Sequence, residues 1–255
     1  MRLKIVDIKK NKFIIIIEMD YNNETVWLAS FDIGKLTFTF YIEEIDVIHM
    51  KKIENIDKIN RYNNDGTCQK NFSILLENVF KNGKKIVLET FNLTEGCDDP
   101  KKYYDKDYCY NMFEVLDQYS EYWKKVTYFI VEKQMSFGKR NNTMALKIGQ
   151  SCQSYFMINY GKDISIIDFP AYYKTIILGA PQTLVKTKKG YRYKTLGDRE
   201  RKKWSVKEGI YILSLRDDFE TMSQIGGMKK QDDVSDVIVQ LQAFKYLFFV
   251  DNLKF

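Results

Sequence analysis

Residues 126–133 read VTYFIVEK, an apolar and β-branched run with no charge before Glu132. A strand of this kind has no solvated face, so it belongs inside a sheet covered by helices on both sides. Its neighbours fit that requirement. Apolar segments at 14–18, 26–31, 37–41 and 44–50, rich in Ile, Val, Phe, Tyr and Trp, predict the strands of a largely antiparallel opening sheet. Asn22-Asn23 marks a hairpin turn and Gly34 ends the second of the apolar strands.

The polar, Asn-rich stretch 51–106 is expected to hold a short helix near 72–81, a strand near 84–90 and a mobile loop near 95–106. Residues 110–125 place Met112, Phe113, Leu116, Tyr119 and Trp123 at helical spacings and run directly into strand 126–133. A helix over 141–161, a strand over 163–169, a new segment from Pro170 and a C-terminal helix over 229–249 follow. That last helix carries Val234, Val237, Ile238, Leu241, Phe244 and Phe248 on one stripe. Strands first, then alternating helix and strand, give an α/β chain with a central mixed sheet flanked by helices.

With 13 Gly, 3 Pro and 45% hydrophobic residues, collagen-like, linker-like and disordered classes are excluded. Cys68, Cys97, Cys109 and Cys152 are scattered without a CxxC pair and His49 is the single histidine, so a Cys/His zinc cluster is nearly excluded. The opening MRLKIVDIKK lacks a long apolar run, and reduced thiols in an intracellular protein, away from membranes, are the expectation.

Acidic residues interrupt the apolar pattern at three places. Asp32 ends the run VWLASF and Glu132 ends TYFIV; a carboxylate at the end of a core strand needs solvent, a cation or a metal. Either one alone is also accounted for by a turn or an ion pair. Asp232, Asp233 and Asp236 open the C-terminal helix, where the helix dipole favours negative charge. Capping accounts for one or two of them, yet the spacing leaves two carboxylates on neighbouring positions of one helical face. Strand-end carboxylates plus a helical pair are hard oxygen donors suited to Mg²⁺ or Mn²⁺, and two such ions about 3.5–4 Å apart serve in-line phosphoryl transfer.

The basic residues are concentrated as well. Between Val185 and Gly209 stand ten Lys or Arg against three acidic residues, a local charge of +7 that exceeds the +6 of the whole chain. Tyr191, Tyr193 and Trp204 interleave with them, a composition suited to phosphate contacts with stacking on unpaired bases, though a solvated surface loop reads the same way.

Four pieces, SFDIG at 30–34, FIVEKQ at 129–134, YRYKTLGDRERKKWSV at 191–206 and KKQDDVSD at 229–236, resemble the RuvC-type Holliday junction resolvases of poxviruses and other large cytoplasmic DNA viruses, within the retroviral-integrase and ribonuclease H superfamily. The resemblance is best over 26–50 and 107–248. It implies one ribonuclease H-like nuclease domain over 1–255 with a central five-stranded sheet, a hairpin extension at 1–25 and an insertion at about 51–106. It further implies catalysis and metal ligation by Asp32, Glu132, Asp233 and Asp236, with Asp232 supporting. DNA contacts would come from Lys133, Arg199, Arg201, Lys202, Lys203 and Ser205. The implied activity is Mg²⁺-dependent paired nicking of four-way DNA junctions by a homodimer, in the host cytoplasm at viral replication sites or packaged in the virion. Two other readings stay open: a ribonuclease H-like nuclease acting on forks, flaps or RNA–DNA hybrids, and a catalytically silent protein that binds branched DNA.

Overall fold

A computed structural model describes residues 2–5, 15–18, 25–134, 142–187 and 190–255. In chain order the elements that build the body are β3 (Thr25–Asp32), β4 (Phe38–Asp46), α1 (Val47–Lys52), α2 (Lys70–Lys81), β5 (Lys84–Phe91), α3 (Asp107–Gln118), α4 (Ser120–Trp123), β6 (Val126–Lys133), α5 (Thr143–Tyr160), β7 (Ser165–Pro170), α6 (Tyr172–Ile177), α7 (Asp198–Ser214), α8 (Phe219–Gly227) and α9 (Gln231–Lys245). Ahead of them β1 (Arg2–Ile5) pairs antiparallel with β2 (Ile15–Glu18), and between α6 and α7 a ribbon is made by β8 (Thr183–Thr187) and β9 (Gly190–Lys194).

The central sheet has the order β5-β4-β3-β6-β7. β3, β4 and β5 form an antiparallel meander, while β6 and β7 run parallel to β3. This is the expected α/β arrangement, a mixed five-stranded sheet with helices on both faces. Alternation along the strands divides the core in two. Leu28, Tyr128, Ile130 and Ile167 face one side, packed with α2, α7, α8 and α9; Ala29, Phe31, Phe129 and Val131 face the other, packed with α3, α4 and α5.

Several expectations are corrected. The residues at 37–41 and 44–50 are not two strands: β4 runs unbroken to Asp46, whose side chain accepts the His49 N–H at 2.8 Å and so starts α1. The strand at 14–18 lies outside the central sheet and pairs with β1 instead. Within 51–106, α2 and β5 stand where the helix near 72–81 and the strand near 84–90 are expected, and β5 is the sheet's edge strand. The expected loop near 95–106 is irregular yet tied down, since Lys35 Nζ donates to the carbonyls of Pro100 (3.2 Å) and Lys102 (2.6 Å). The helix expected over 110–125 breaks at Tyr119 into α3 and α4. The turn expected at Asn22-Asn23 lies outside the described residues.

The stripe on α9 is buried at Val234, Val237, Ile238, Leu241 and Phe244, but the helix is not amphipathic. Val239, Gln240, Gln242, Ala243 and Lys245 are buried too, because α9 lies on the sheet and is itself covered by α6, α7 and α8. Most of its buried polar groups are partnered, Gln240 Oε1 being left without a hydrogen bond. Lys245 Nζ donates to Glu43 of β4 (2.6 Å), to Gln242 (2.8 Å) and to the Asn82 carbonyl (2.5 Å). Arg216, just beyond α7, donates to the other Glu43 oxygen at 2.8 Å. Burial alone would raise the Glu43 pKa, but Arg216 and Lys245 bring it down to about 2. Burial pulls Lys245 itself down to about 7, against the attraction of Glu43 and with the repulsion of Arg216.

Candidate metal and nucleic-acid site

Asp32 and Glu132 occupy adjacent parallel strands, at the ends where both chains leave the sheet. Counting by twos from Leu28 and from Tyr128 puts both carboxylates on the α9 face. Opposite them α9 presents Asp236. One ligand oxygen each from Asp32, Glu132 and Asp236 lie within 4.8 Å of one another. The three come together because α9 is registered on the sheet one turn further along: Gln240 Nε2 reaches Ser30 Oγ (3.0 Å) and the carbonyls of Phe31 (3.3 Å) and Ile130 (3.2 Å), bridging β3 to β6 directly behind the carboxylates.

Sequence reasoning missed the cation among them. Lys174, on α6, is buried, and its Nζ donates to Glu132 Oε2 at 2.7 Å and Asp236 Oδ2 at 3.0 Å. Burial would lower the lysine's pKa, but Glu132, Asp236 and Asp32 together raise it above the ordinary lysine range. Asp32 is pushed well above the usual carboxylate range, chiefly by burial and then by Glu132, with Lys174 opposing. For Asp236 burial acts upward, yet Lys174 and the hydrogen bond from Ser205 outweigh it and the pKa is lowered. The three carboxylates thus have different environments within one cluster.

Ser205 and Asp233 sit differently from their expected places. Ser205 is buried in the middle of α7, and its hydroxyl donates to Asp236 Oδ1. The hydroxyl does not face outward towards DNA; it orients a carboxylate. Asp233 lies one turn before Asp236 but outside the group of three. Its Oδ2 is buried without a hydrogen-bond partner, and Lys230 Nζ stands 3.9 Å away. Burial raises the Asp233 pKa, while the Thr37 side chain hydrogen-bonds to it and lowers it. An orphaned carboxylate oxygen beside three converging hard oxygen donors fits a divalent cation such as Mg²⁺ or Mn²⁺.

The cations expected on DNA spread over several surroundings. Lys202 is paired with Asp232 across the α7–α9 crossing, which occupies both side chains. Arg201 is half-buried, lies 3.8 Å from Asp198, and helps lower the Asp236 pKa. Arg199 and Lys203 are exposed on α7, and Lys133 is exposed at the end of β6 with the opposite strand parity from Glu132. The helices carrying these groups touch closely: a Cβ at Gly209 of α7 would lie 3.0 Å from the Ser235 Cβ of α9, so glycine here lets Ser205 reach Asp236.

No protein-family model matches this sequence. The chain is 29% identical over 243 residues to uncharacterized protein 170L of Invertebrate iridescent virus 6, an alignment covering 90% of this chain and 93% of that protein. It is 27% identical over 226 residues to uncharacterized protein 97L of Invertebrate iridescent virus 3, covering 86% and 98% respectively. Its sequence relatives are thus viral proteins of similar extent. Among solved structures, the fowlpox virus Holliday junction resolvase is similar with a TM-score of 0.43 and 14% identity, over 87% of this chain and 99% of that one. Among the described residues no helix is long and apolar enough to cross a membrane.

Proposed function

We propose that this chain is a divalent-metal-dependent endonuclease of branched DNA, a junction resolvase. The observation that carries the proposal is the convergence of Asp32, Glu132 and Asp236 at the open end of the parallel strands. Asp32, Glu132 and Asp236 would hold the metal, with Asp233 completing the set from the same helix. Bound there, Mg²⁺ supplies an activated water and a counter-charge for the phosphodiester oxygens.

The chain's own residues account for the rest of the site. Lys174 balances the negative charge of the cluster and keeps Glu132 and Asp236 facing one another. Ser205 fixes the rotation of the Asp236 carboxylate, leaving its geometry ready before substrate arrives. On α7, Arg199, Arg201, Lys202 and Lys203 crowd the N-terminal half of the helix, where the dipole disfavours positive charge. Lys202 is held by Asp232, and the concentration of the other three suits a phosphate backbone better than it suits helix stability.

Among the described residues one such acidic group is found. Paired cuts on two strands of a four-way junction therefore call for two copies of the chain, and a twofold homodimer supplies them.

The reading is tested by assaying Mg²⁺-dependent cleavage of four-way, three-way, flap, hybrid and linear substrates by the wild type and by the D32N, E132Q and D236N variants. Symmetric paired nicks in the four-way junction are expected, abolished in each variant while junction binding persists. Near-wild-type cleavage by both D32N and E132Q at saturating Mg²⁺ would overturn the metal-site assignment. Preference for a hybrid or flap would move the substrate, and binding without cleavage would leave a silent module.

A further inference from the structure

The β8–β9 ribbon links two elements of the cluster: α6 carries Lys174, and α7 carries Ser205. The ribbon lies outside the central sheet. Its sequence over 183–194, TLVKTKKGYRYK, holds five cations and no acidic residue. Leu184 is paired with Tyr193 and Lys186 with Tyr191, and directly opposed residues of an antiparallel pair share a face. Leu184, Lys186, Tyr191 and Tyr193 therefore stand on one face, Val185, Arg192 and Lys194 on the other. On the first face Tyr191 is 70%, Leu184 52% and Tyr193 42% exposed.

An isolated two-stranded ribbon is marginal in water, and this one leaves its large side chains uncovered. Its root, in contrast, is fixed. The Gln182 N–H donates to the Asp65 carbonyl at 2.6 Å, and Tyr62 Oη donates to the Ile177 carbonyl at 3.0 Å. Gly66, with φ of +81°, makes room for Gln182, whose side chain would lie 3.0 Å from an added Cβ. A segment of 51–106 thus braces the ribbon at its root.

We infer that the Tyr191/Tyr193 face is a stacking surface for unpaired bases at the branch point of the DNA, with Lys186, Arg192 and Lys194 on the flanking phosphates. The inference rests on the nuclease reading above. Every base offers a π-face to an exposed ring, whatever the sequence, and an all-cationic ribbon complements the phosphate backbone. The interior of a duplex offers the phosphates but no free base faces, whereas stacking is interrupted where the arms of a junction meet, so the two rings select for branched over linear DNA.

Four-way junctions carrying 2-aminopurine either at the branch point or in the middle of an arm provide the test, in metal-free buffer so that no strand is cut. Wild-type protein should quench the branch-point probe and leave the mid-arm probe unchanged. The Y191L/Y193L variant should lose that quench and bind the junction about tenfold more weakly, with linear-duplex binding unaltered, while Y191F/Y193F behaves as wild type. Junction affinity within twofold of wild type and an intact quench in the leucine variant would overturn the stacking role and leave the nuclease reading standing. So would tight junction binding by the wild type with no branch-point quench. Failure of the wild type to bind any branched DNA would overturn both.

Discussion

Replacing Lys174 by methionine removes the ammonium and keeps most of the apolar stem. In the wild type that ammonium lies 2.7 Å from Glu132 and 3.0 Å from Asp236, with a side chain only 3% exposed. At about 3 Å and an effective dielectric constant near 20, each contact is worth roughly 5 kcal/mol of gross Coulomb energy, much of it offset by the desolvation of three buried groups. What K174M leaves behind is carboxylates crowded within 4.8 Å with no internal cation. Breaking a buried pair in this way costs about 3–5 kcal/mol. The Lys174 pKa is raised above its unfolded value, so its contribution is complete below the ordinary lysine pKa and is lost only at higher pH; a measurement at pH 7 samples all of it. Urea denaturation in EDTA should therefore show the full loss. Mg²⁺ at a hundredfold excess over its Kd should return about 2.7 kcal/mol in the variant, and less in the wild type at the same concentration, where Lys174 competes for the same oxygens. Unchanged stability of K174M in EDTA would refute the charge-balancing role, and equal stabilisation of both proteins by Mg²⁺ would refute the competition.

Other perturbations have equally definite outcomes. E43Q leaves Arg216 and Lys245 buried without their carboxylate and should cost about 3–5 kcal/mol by denaturant titration. Since the Glu43 pKa falls from 4.5 to about 2 on folding, about 3 kcal/mol of wild-type stability should be present above pH 4.5 and fade as the pH drops towards 2, a loss that E43Q should not show. Q240L removes the bridge from α9 to Ser30, Phe31 and Ile130; a stability loss of about 1–3 kcal/mol and a larger fall in kcat than in junction affinity are expected, and unaltered kcat would contradict the registering role. Truncation of Leu241 or Phe244 to alanine should cost about 2–5 kcal/mol, checked by the same titration, since both side chains are fully buried.

The parts of this architecture that sequence could show are those where one residue contradicts its surroundings. Asp32 and Glu132 are legible because each ends an apolar run, and the strands that carry them follow from the same runs. Asp236 is legible through its helical spacing. Lys174 is not: in AYYKTII it looks like any surface lysine, and only the packing of α6 on α9 buries it against acids. Gln240 is hidden for the same reason, as a single polar residue in a helix whose period says little once every face is covered. Ser205 lies among cations, so its neighbours in sequence suggest phosphate while its neighbours in space are carboxylates. The boundary at Asp46 depends on a side-chain cap competing with a continuing apolar pattern, and the place of β5 at the sheet edge depends on pairing with β4, which local pattern does not encode.

The lateness of α9 in the chain has a consequence for biosynthesis. At about 5–20 residues per second, Asp236 emerges roughly 10–40 s after Asp32. Until then Leu28, Tyr41, Tyr128 and Ile130 on the growing sheet lack the helix that covers them, and Glu43 lacks Lys245. The nascent chain in that interval is sticky, and its acidic cluster is incomplete because Asp236 has not yet joined Asp32 and Glu132. Docking of one late helix closes the apolar face and brings Asp236 to Asp32 and Glu132 in a single event, so the acidic cluster forms only once that face of the sheet is covered.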